Sequence, residues 1–426
     1  MQRILSSQLP THVGQRVTIA GWVHRRRRLK SVAFLIVRDA EGLAQVVVRS
    51  AAPRAALEAL TEETVVEVDA TVAANPAAPG GVELVDPAVR APDGPAEPPP
   101  FDLYRPSVAA GLPTLLDHAA VALRHPARRA LFRASAAAVR GFRSTLDEAG
   151  FVEVHTPKIV ASATESGADV FAIDYFGRSA FLAQSPQFYK QMLVGVFSRV
   201  YEVGPVFRAE PHDTARHLAQ YTSLDVELGF ITDHRDVMAV LRDVLAGMVG
   251  AIAPDAPVDR PVVPAEIPVV HFADAVELVS TATGTDITGE PDLAPADERW
   301  LGEWARQTHG SEFLFVEGYP MVKRPFYTHP DPERPGHSNG FDLLFRGMEL
   351  VTGGQRLHRY SDYVAALAAR GESTEGYESY LDAFRYGLPA HGGFAIGLER
   401  LLMRLAGAGN VREVTLFPRD LHRLTP

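Results

Sequence analysis

Five short runs of alternating apolar and polar residues fill the first 85 positions, at residues 17–23, 33–39, 44–48, 64–73 and 81–85. Between the third and fourth run lies one helix-forming stretch, residues 51–60, rich in Ala, Leu and Glu. A period of two puts successive side chains on opposite faces of a strand, so each run buries only one face. Asp39-Ala40-Glu41-Gly42 turns the second run into the third, and Asn75-Pro76-Ala77-Ala78-Pro79-Gly80 connects the fourth and fifth. Half-buried strands in this order, with the helix after the third, predict a closed five-stranded OB-fold barrel over residues 1–90.

Breakers follow. Pro95 and Pro98-Pro99-Pro100 stand at the centre of residues 86–113, and residues 91–125 read as a linker or hinge. An Ala- and Arg-rich amphipathic helix is expected over 127–150, with Leu131, Phe132, Val139 and Phe142 near helical spacing. Strand-like and helical runs then mix without a βαβ repeat. The expectation for 126–426 is therefore an α+β domain, an antiparallel sheet flanked by helices. Residues 232–310, rich in Ala, Pro and Asp, read as a modest insertion in it. A length of 426 residues accommodates this division.

Cysteine is absent, which excludes disulfides, thiolate metal sites and cysteine nucleophiles and fits a cytoplasmic protein. No apolar run long enough for a membrane span is present, and the first ten residues lack the apolar core of a secretory signal. The net charge of −10 is unevenly spread: residues 1–50 hold nine Lys and Arg against two Asp and Glu. That segment is locally +7 and the remainder −17, the asymmetry expected when one domain meets phosphate and the other does not.

Neither a P-loop nor a Rossmann glycine fingerprint occurs. Two polar segments stand out instead. Val206-Phe207-Arg208-Ala209-Glu210 leads through a loop containing His212, Asp213, Arg216 and His217 into the return strand Gln220-Tyr221-Thr222-Ser223-Leu224-Asp225-Val226-Glu227. Tyr221, Ser223, Asp225 and Glu227 share one strand face, as Arg208 and Glu210 do, and such a face is too polar for an ordinary core. A solvated hairpin with surface ion pairs would show the same pattern. In the second segment, Gly393-Phe394-Ala395-Ile396-Gly397-Leu398-Glu399-Arg400, a small-residue strand runs into a helix with an arginine in its first turn. Glycines there let a ligand approach the backbone, and the arginine can hold phosphate or stack on a base.

Together and in this order, the segments resemble motifs 2 and 3 of class II aminoacyl-tRNA synthetases. Phe151-Val152-Glu153-Val154-His155-Thr156-Pro157, after the long helix, is similar to motif 1. With an OB domain in front, the chain resembles the subclass that charges Asp, Asn and Lys. Gln184-Ser185-Pro186-Gln187-Phe188-Tyr189-Lys190-Gln191 looks like the signature of the aspartyl enzymes. The short spacing of 165 residues between Glu227 and Gly393, and the closing Phe417-Pro418-Arg419-Asp420, are similar to the archaeal-like type.

The resemblance implies ATP-dependent attachment of L-aspartate to tRNA through an aspartyl-adenylate, by a homodimer joined through motif 1. It implies Lys190 and Arg356 as cations for the substrate β-carboxylate, oriented by Asp225, with Glu165 and Gln187 at its ammonium. Arg208 would stabilise charge at the α-phosphate, with Glu210 also in the ATP site. Tyr221 would stack on adenine, and His217 and Arg400 would meet the γ-phosphate. Glu349 and Thr352 would hold Mg²⁺; the family often has Ser where Thr352 stands. Gln220 departs from the usual Glu. In the barrel, Phe34 and Gln45 would meet anticodon bases and Arg25 phosphate. His24 and Pro79 look like the pair found in relatives that accept both tRNA(Asp) and tRNA(Asn). An asparaginyl enzyme, disfavoured by Lys190 and Asp225, is the nearest alternative. A tRNA-independent amino-acid ligase and a silent RNA-binding relative are the others.

Overall fold

The computed structural model of the protein describes residues 3–161, 169–334 and 336–426. The chain divides into two units, 1–128 and 129–426. In the first, strands β1 (Arg16–Arg28), β2 (Ala33–Arg38) and β3 (Leu43–Val48) precede helix α1 (Ala51–Glu58), and β4 (Val65–Ala74) and β5 (Val82–Arg90) follow it. They close as a barrel in the order β1-β2-β3-β5-β4, the OB arrangement. Alternation fills its interior with Val17, Ile19, Leu35, Val37, Val46, Val66, Val68, Val72 and Leu84.

One irregularity decides which way the arginine run of β1 faces. The β1–β2 register slips between Val23 and Arg25, so His24 is the extra residue of a β-bulge. Beyond it Arg25 pairs with Ile36 and Arg27 with Phe34, while Ile36 pairs with Gln45 on β3. Paired residues share a face, so Arg25, Arg27, Phe34 and Gln45 all look outward; without the bulge the arginines would point into the barrel.

Residues 91–125 are more than a connection. They hold helices α2 (Leu112–Asp117) and α3 (Ala119–Ala122), bury Leu103, Leu116 and Ala122, and belong to the first unit. His125, also buried, bonds the Arg105 carbonyl through Nε2 at 2.8 Å.

The long helix α4 (Pro126–Glu148), whose Phe142 and Leu146 are fully buried, begins in the last residues of the first unit and lies mostly in the second. Short strands follow: β6 (Val152–Glu153), β7 (Ile159–Val160), β8 (Ala172–Tyr175) and β9 (Arg178–Leu182). Helix α5 (Gln187–Phe197) leads into the hairpin of β10 (Arg199–Phe207) and β11 (Gln220–Gly229). Next come α6 (His234–Gly250), β12 (Val269–His271), α7 (Phe272–Thr283), α8 (Pro295–His309) and β13 (Phe313–Glu317). The chain continues with β14 (Gly340–Phe345), β15 (Glu349–Gln355), α9 (Tyr360–Ala369), α10 (Glu378–Arg385), β16 (His391–Gly397) and α11 (Leu398–Leu405).

Eight strands form one sheet in the order β12-β13-β14-β15-β16-β11-β10-β6, antiparallel except where β6 meets β10 and β12 meets β13. Residues 232–310 do not stand apart from it. Val237, Leu241, Val244 and Leu245 of α6 join the main core, and β12 completes one edge of the sheet. No helix among the described residues is long and apolar enough to cross a membrane.

Candidate active site

The middle strands of the large sheet, β15, β16 and β11, floor a cavity of about 420 Å³. Its lining includes ten of the residues singled out from the sequence: Gln187, Lys190, Arg208, Glu210, His217, Tyr221, Glu349, Thr352, Arg356 and Arg400. They come from α5, the β10–β11 hairpin, β15, Arg356 just beyond it, and α11, so segments more than 200 residues apart meet in one space. β10 ends at Phe207, so Arg208 and Glu210 lie just past the strand rather than on it. Glu165 lies outside the described residues.

At the closed end the site is a buried ion cluster. Lys190 Nζ lies 3.0 Å from Asp225 Oδ1, 3.5 Å from Glu227 Oε2 and 3.2 Å from the Phe394 carbonyl. Ser223 Oγ donates to Asp225 Oδ2, completing that carboxylate's shell. Arg356 donates from Nε to Glu227 Oε1 at 3.1 Å and from Nη2 to the Gly393 carbonyl at 3.0 Å. Burial pushes the Glu227 carboxyl up, but Arg356 and Lys190 outweigh it and hold the group below the usual carboxylate range. Gly393 makes this contact possible. A Cβ there would sit 2.1 Å from the Val226 carbonyl oxygen and 2.1 Å from Glu227 Oε2, so only glycine lets β16 approach β11 this closely.

The open end gathers cations. Burial is the largest cause that lowers the His217 pKa to about 4, and the charges of Arg400, Arg216 and Arg208 add to it. Three guanidiniums converging on a neutral imidazole are the environment of an anion site. The Arg208 guanidinium stands 5.8 Å from the centre of the Tyr221 ring. A Cβ on Gly397 would sit 4.0 Å from both Tyr221 and Arg400, so these side chains flank the bare backbone of β16.

Two hard oxygen donors adjoin this end: Thr352 Oγ1 lies 3.2 Å from Glu349 Oε1, which also faces Arg400 at 3.7 Å. No group of three or more His, Asp or Glu that could hold a metal exists among the described residues. The pair fits a divalent cation that takes its remaining oxygens from a ligand and water, the usual habit of Mg²⁺.

Sequence reasoning missed Glu298, on α8. Its buried carboxylate accepts from the Glu349 backbone N–H at 3.1 Å and lies 3.6 Å from Arg216, and burial raises its pKa. It missed Glu399 as well, whose two oxygens both accept from the Thr222 N–H at 3.0 Å. Acidic residues at helical spacing signal nothing by themselves; only the tertiary meeting reveals these contacts.

In the barrel unit, Arg25 and Pro79 are exposed while Phe34 and Gln45 are half-buried on the outer face. Phe34 lines a groove of about 520 Å³ together with Arg26, Arg27, Arg28, Lys30 and Arg54. Gln45 Nε2 donates to Glu83 at 3.3 Å. His24 differs from the expectation. Only 6% exposed, it sits inside the bulge, and burial together with Arg38 lowers its pKa to about 4. Any influence of His24 on an outside ligand therefore passes through the strand it shapes.

Residues 112–421 match a family described as tRNA synthetases class II (D, K and N), and residues 17–91 match an OB-fold nucleic acid binding domain. The chain is 44% identical to an aspartate–tRNA(Asp/Asn) ligase of Thermus thermophilus, with 100% of each chain covered. It is also 44% identical to a ligase of the same description from Deinococcus radiodurans, covering 100% of this chain and 99% of that one. The crystal structure of asparaginyl-tRNA synthetase from Pyrococcus horikoshii complexed with asparaginyl-adenylate superposes with a TM-score of 0.91, at 28% identity and with 100% of each chain covered.

Proposed function

Since the chain belongs to the class II tRNA synthetases of the D, K and N group, we propose that it attaches L-aspartate to tRNA(Asp) and tRNA(Asn), using ATP. The observation that carries the choice of amino acid is the pair of buried cations, Lys190 and Arg356, side by side at the closed end of the cavity. Asp225 and Glu227 already balance their charge, but both cations can only donate: a β-carboxylate offers them two acceptor oxygens, whereas an amide would turn its own NH₂ against one of them.

Aspartate lies with its β-carboxylate toward Lys190 and Arg356, the first held in place by Asp225 and the second by Glu227. Its ammonium meets Gln187 and Glu165. ATP places adenine between Tyr221 and Arg400, and its phosphates among Arg208, His217 and Arg400. Glu210, at the foot of the same loop, lines the ATP end. An α-carboxylate oxygen attacks the α-phosphorus in line, the bond to the bridging oxygen breaks, and pyrophosphate leaves. Arg208 stabilises the charge that develops on the α-phosphoryl oxygens. No side chain acts as a nucleophile; positioning and charge carry the step. Glu349 and Thr352 would hold Mg²⁺, which when bound neutralises phosphate charge. The terminal ribose hydroxyl of the tRNA then takes the aspartyl group from the adenylate, releasing AMP.

The barrel reads the anticodon, with Phe34 as stacking platform, Gln45 as hydrogen-bonding partner and Arg25 on phosphate. His24 acts by holding the bulge that turns Arg25 outward, and Pro79 shapes the exposed loop before β5. A homodimer through α4 and β6 is supported by the position of β6 at the end of the large sheet, with Val152 exposed. Absence of cysteine supports a cytoplasmic setting.

Amino-acid-dependent exchange of pyrophosphate into ATP tests this reading. Aspartate supports exchange and asparagine at the same concentration does not. Exchange driven by asparagine alone would transfer the protein to the asparaginyl reading.

A further inference from the structure

A chain of buried polar side chains stands behind Gln187. Gln187 and Gln191 lie one turn apart on α5 and are 4% and 0% exposed. Gln187 Nε2 donates to Gln191 Oε1 at 2.9 Å, and the Tyr380 hydroxyl donates to the same oxygen at 3.0 Å. On its other side Gln191 Nε2 donates to the Tyr363 hydroxyl at 3.0 Å and to His391 Nε2 at 3.1 Å. The Tyr363 hydroxyl donates to the Leu357 carbonyl at 2.8 Å, and its oxygen also lies 3.0 Å from the Tyr380 hydroxyl. His391 Nδ1 lies 2.9 Å from the Pro389 carbonyl, which can only accept, so Nδ1 carries the imidazole proton and Nε2 is an acceptor.

These bonds have one consistent direction. Turning the Gln191 amide over would set its oxygen against two acceptors, His391 Nε2 and the Tyr363 oxygen. Relieving that clash would take a Tyr363 hydroxyl turned away from the Leu357 carbonyl and, at His391, a doubly protonated ring. Burial, with Arg356 adding to it, opposes that state and lowers the His391 pKa to about 4. With Gln191 fixed, Gln187 must give its Nε2 to the interior and turn Oε1 to the cavity, where Arg356 Nη2 stands 3.5 Å away.

We infer that His391 and Gln191 are positioning residues that set the polarity of the Gln187 amide, so that an acceptor rather than a donor meets the ammonium of the incoming amino acid. This rests on the proposed contact between Gln187 and that ammonium. A reversed Gln187 would aim its NH₂ at two cations, the substrate ammonium and Arg356.

Aspartate-dependent pyrophosphate exchange by the full chain is the test. Gln191→Leu raises KM for aspartate about tenfold, while kcat and KM for ATP stay within about twofold, the scale of one lost or reversed hydrogen bond. Placed on Gln187→Ala, the same change moves KM for aspartate by less than about twofold, because no amide remains to orient. His391→Gln, which keeps an acceptor near the Nε2 position, retains the wild-type KM, and His391→Phe behaves like Gln191→Leu. An unchanged KM for aspartate in Gln191→Leu, a parallel rise for ATP, or full additivity with Gln187→Ala would overturn the inference alone. If Gln187→Ala itself leaves KM for aspartate unchanged, the ammonium contact fails and takes the inference with it.

Discussion

Single residues here do opposite things with buried charge. Asp225 and Glu227 lie against Lys190 and Arg356, and removing one member of such a cluster would strand its partner at a cost of about 3–5 kcal/mol. His391 stays neutral because burial and Arg356 outweigh the attraction of Glu227. Its pKa, lowered from 6.5 to about 4, makes stability depend on pH in a definite direction. Above about pH 6.5 the imidazole is neutral both folded and unfolded, and its neutrality costs nothing. As pH falls toward 4, the unfolded chain takes up a proton that the folded chain refuses, so stability is lost, up to about 3 kcal/mol for this group. His391→Gln has no such proton to refuse. The gap in melting temperature between wild type and variant therefore shrinks as pH is lowered from 7 to 4.5, and parallel curves would contradict the account. Arg208 and Arg400 were legible in the sequence because charged residues stand out beside strands and at a helix start, whereas Lys190 and Arg356 came only from the resemblance of the chain to the aspartyl enzymes. Gln191 and Glu298 were not, since a polar residue on a helix reads as solvated until the packing of α9, β15 and β16 is known.

At the scale of elements, alternation was a dependable guide and irregularity was not. The five barrel strands and the β10–β11 hairpin follow from period-two patterns, as does the long helix α4 from its apolar stripe. The bulge at His24 leaves no mark in such a pattern, because a run of four arginines after it has no apolar partner to reveal the slip. Prolines made residues 91–125 read as linker, yet Leu103 and Leu116 anchor them; breakers forbid long elements without forbidding burial. Residues 232–310 read as an insertion because their helices lack chemistry, and α6 still supplies core to the sheet. The outward face set by the bulge carries its own prediction. Phe34→Ala removes the ring from among the arginines and raises KM for tRNA in aminoacylation by about tenfold to a hundredfold, the worth of one stacked base. Aspartate-dependent pyrophosphate exchange, which needs no tRNA, stays at the wild-type rate. A loss of exchange in this variant would mean that the barrel strand matters to the catalytic unit rather than to RNA.

For the whole molecule, the two units divide the labour by charge. The first 50 residues carry nine basic against two acidic side chains on a chain that is −10 overall, so the net attraction for phosphate is concentrated in the barrel segment. In the proposed reading the catalytic unit selects a carboxylate by buried cations, and the barrel selects a tRNA by a half-buried ring between basic flanks. In this division of labour one chain is proposed to place aspartate on two tRNAs. Attachment of labelled aspartate and of labelled asparagine to purified tRNA(Asp) and tRNA(Asn), with ATP and magnesium, tests it most directly. Aspartate is expected on both tRNAs and asparagine on neither. Asparagine on tRNA(Asn), or aspartate on neither tRNA despite pyrophosphate exchange, would contradict it.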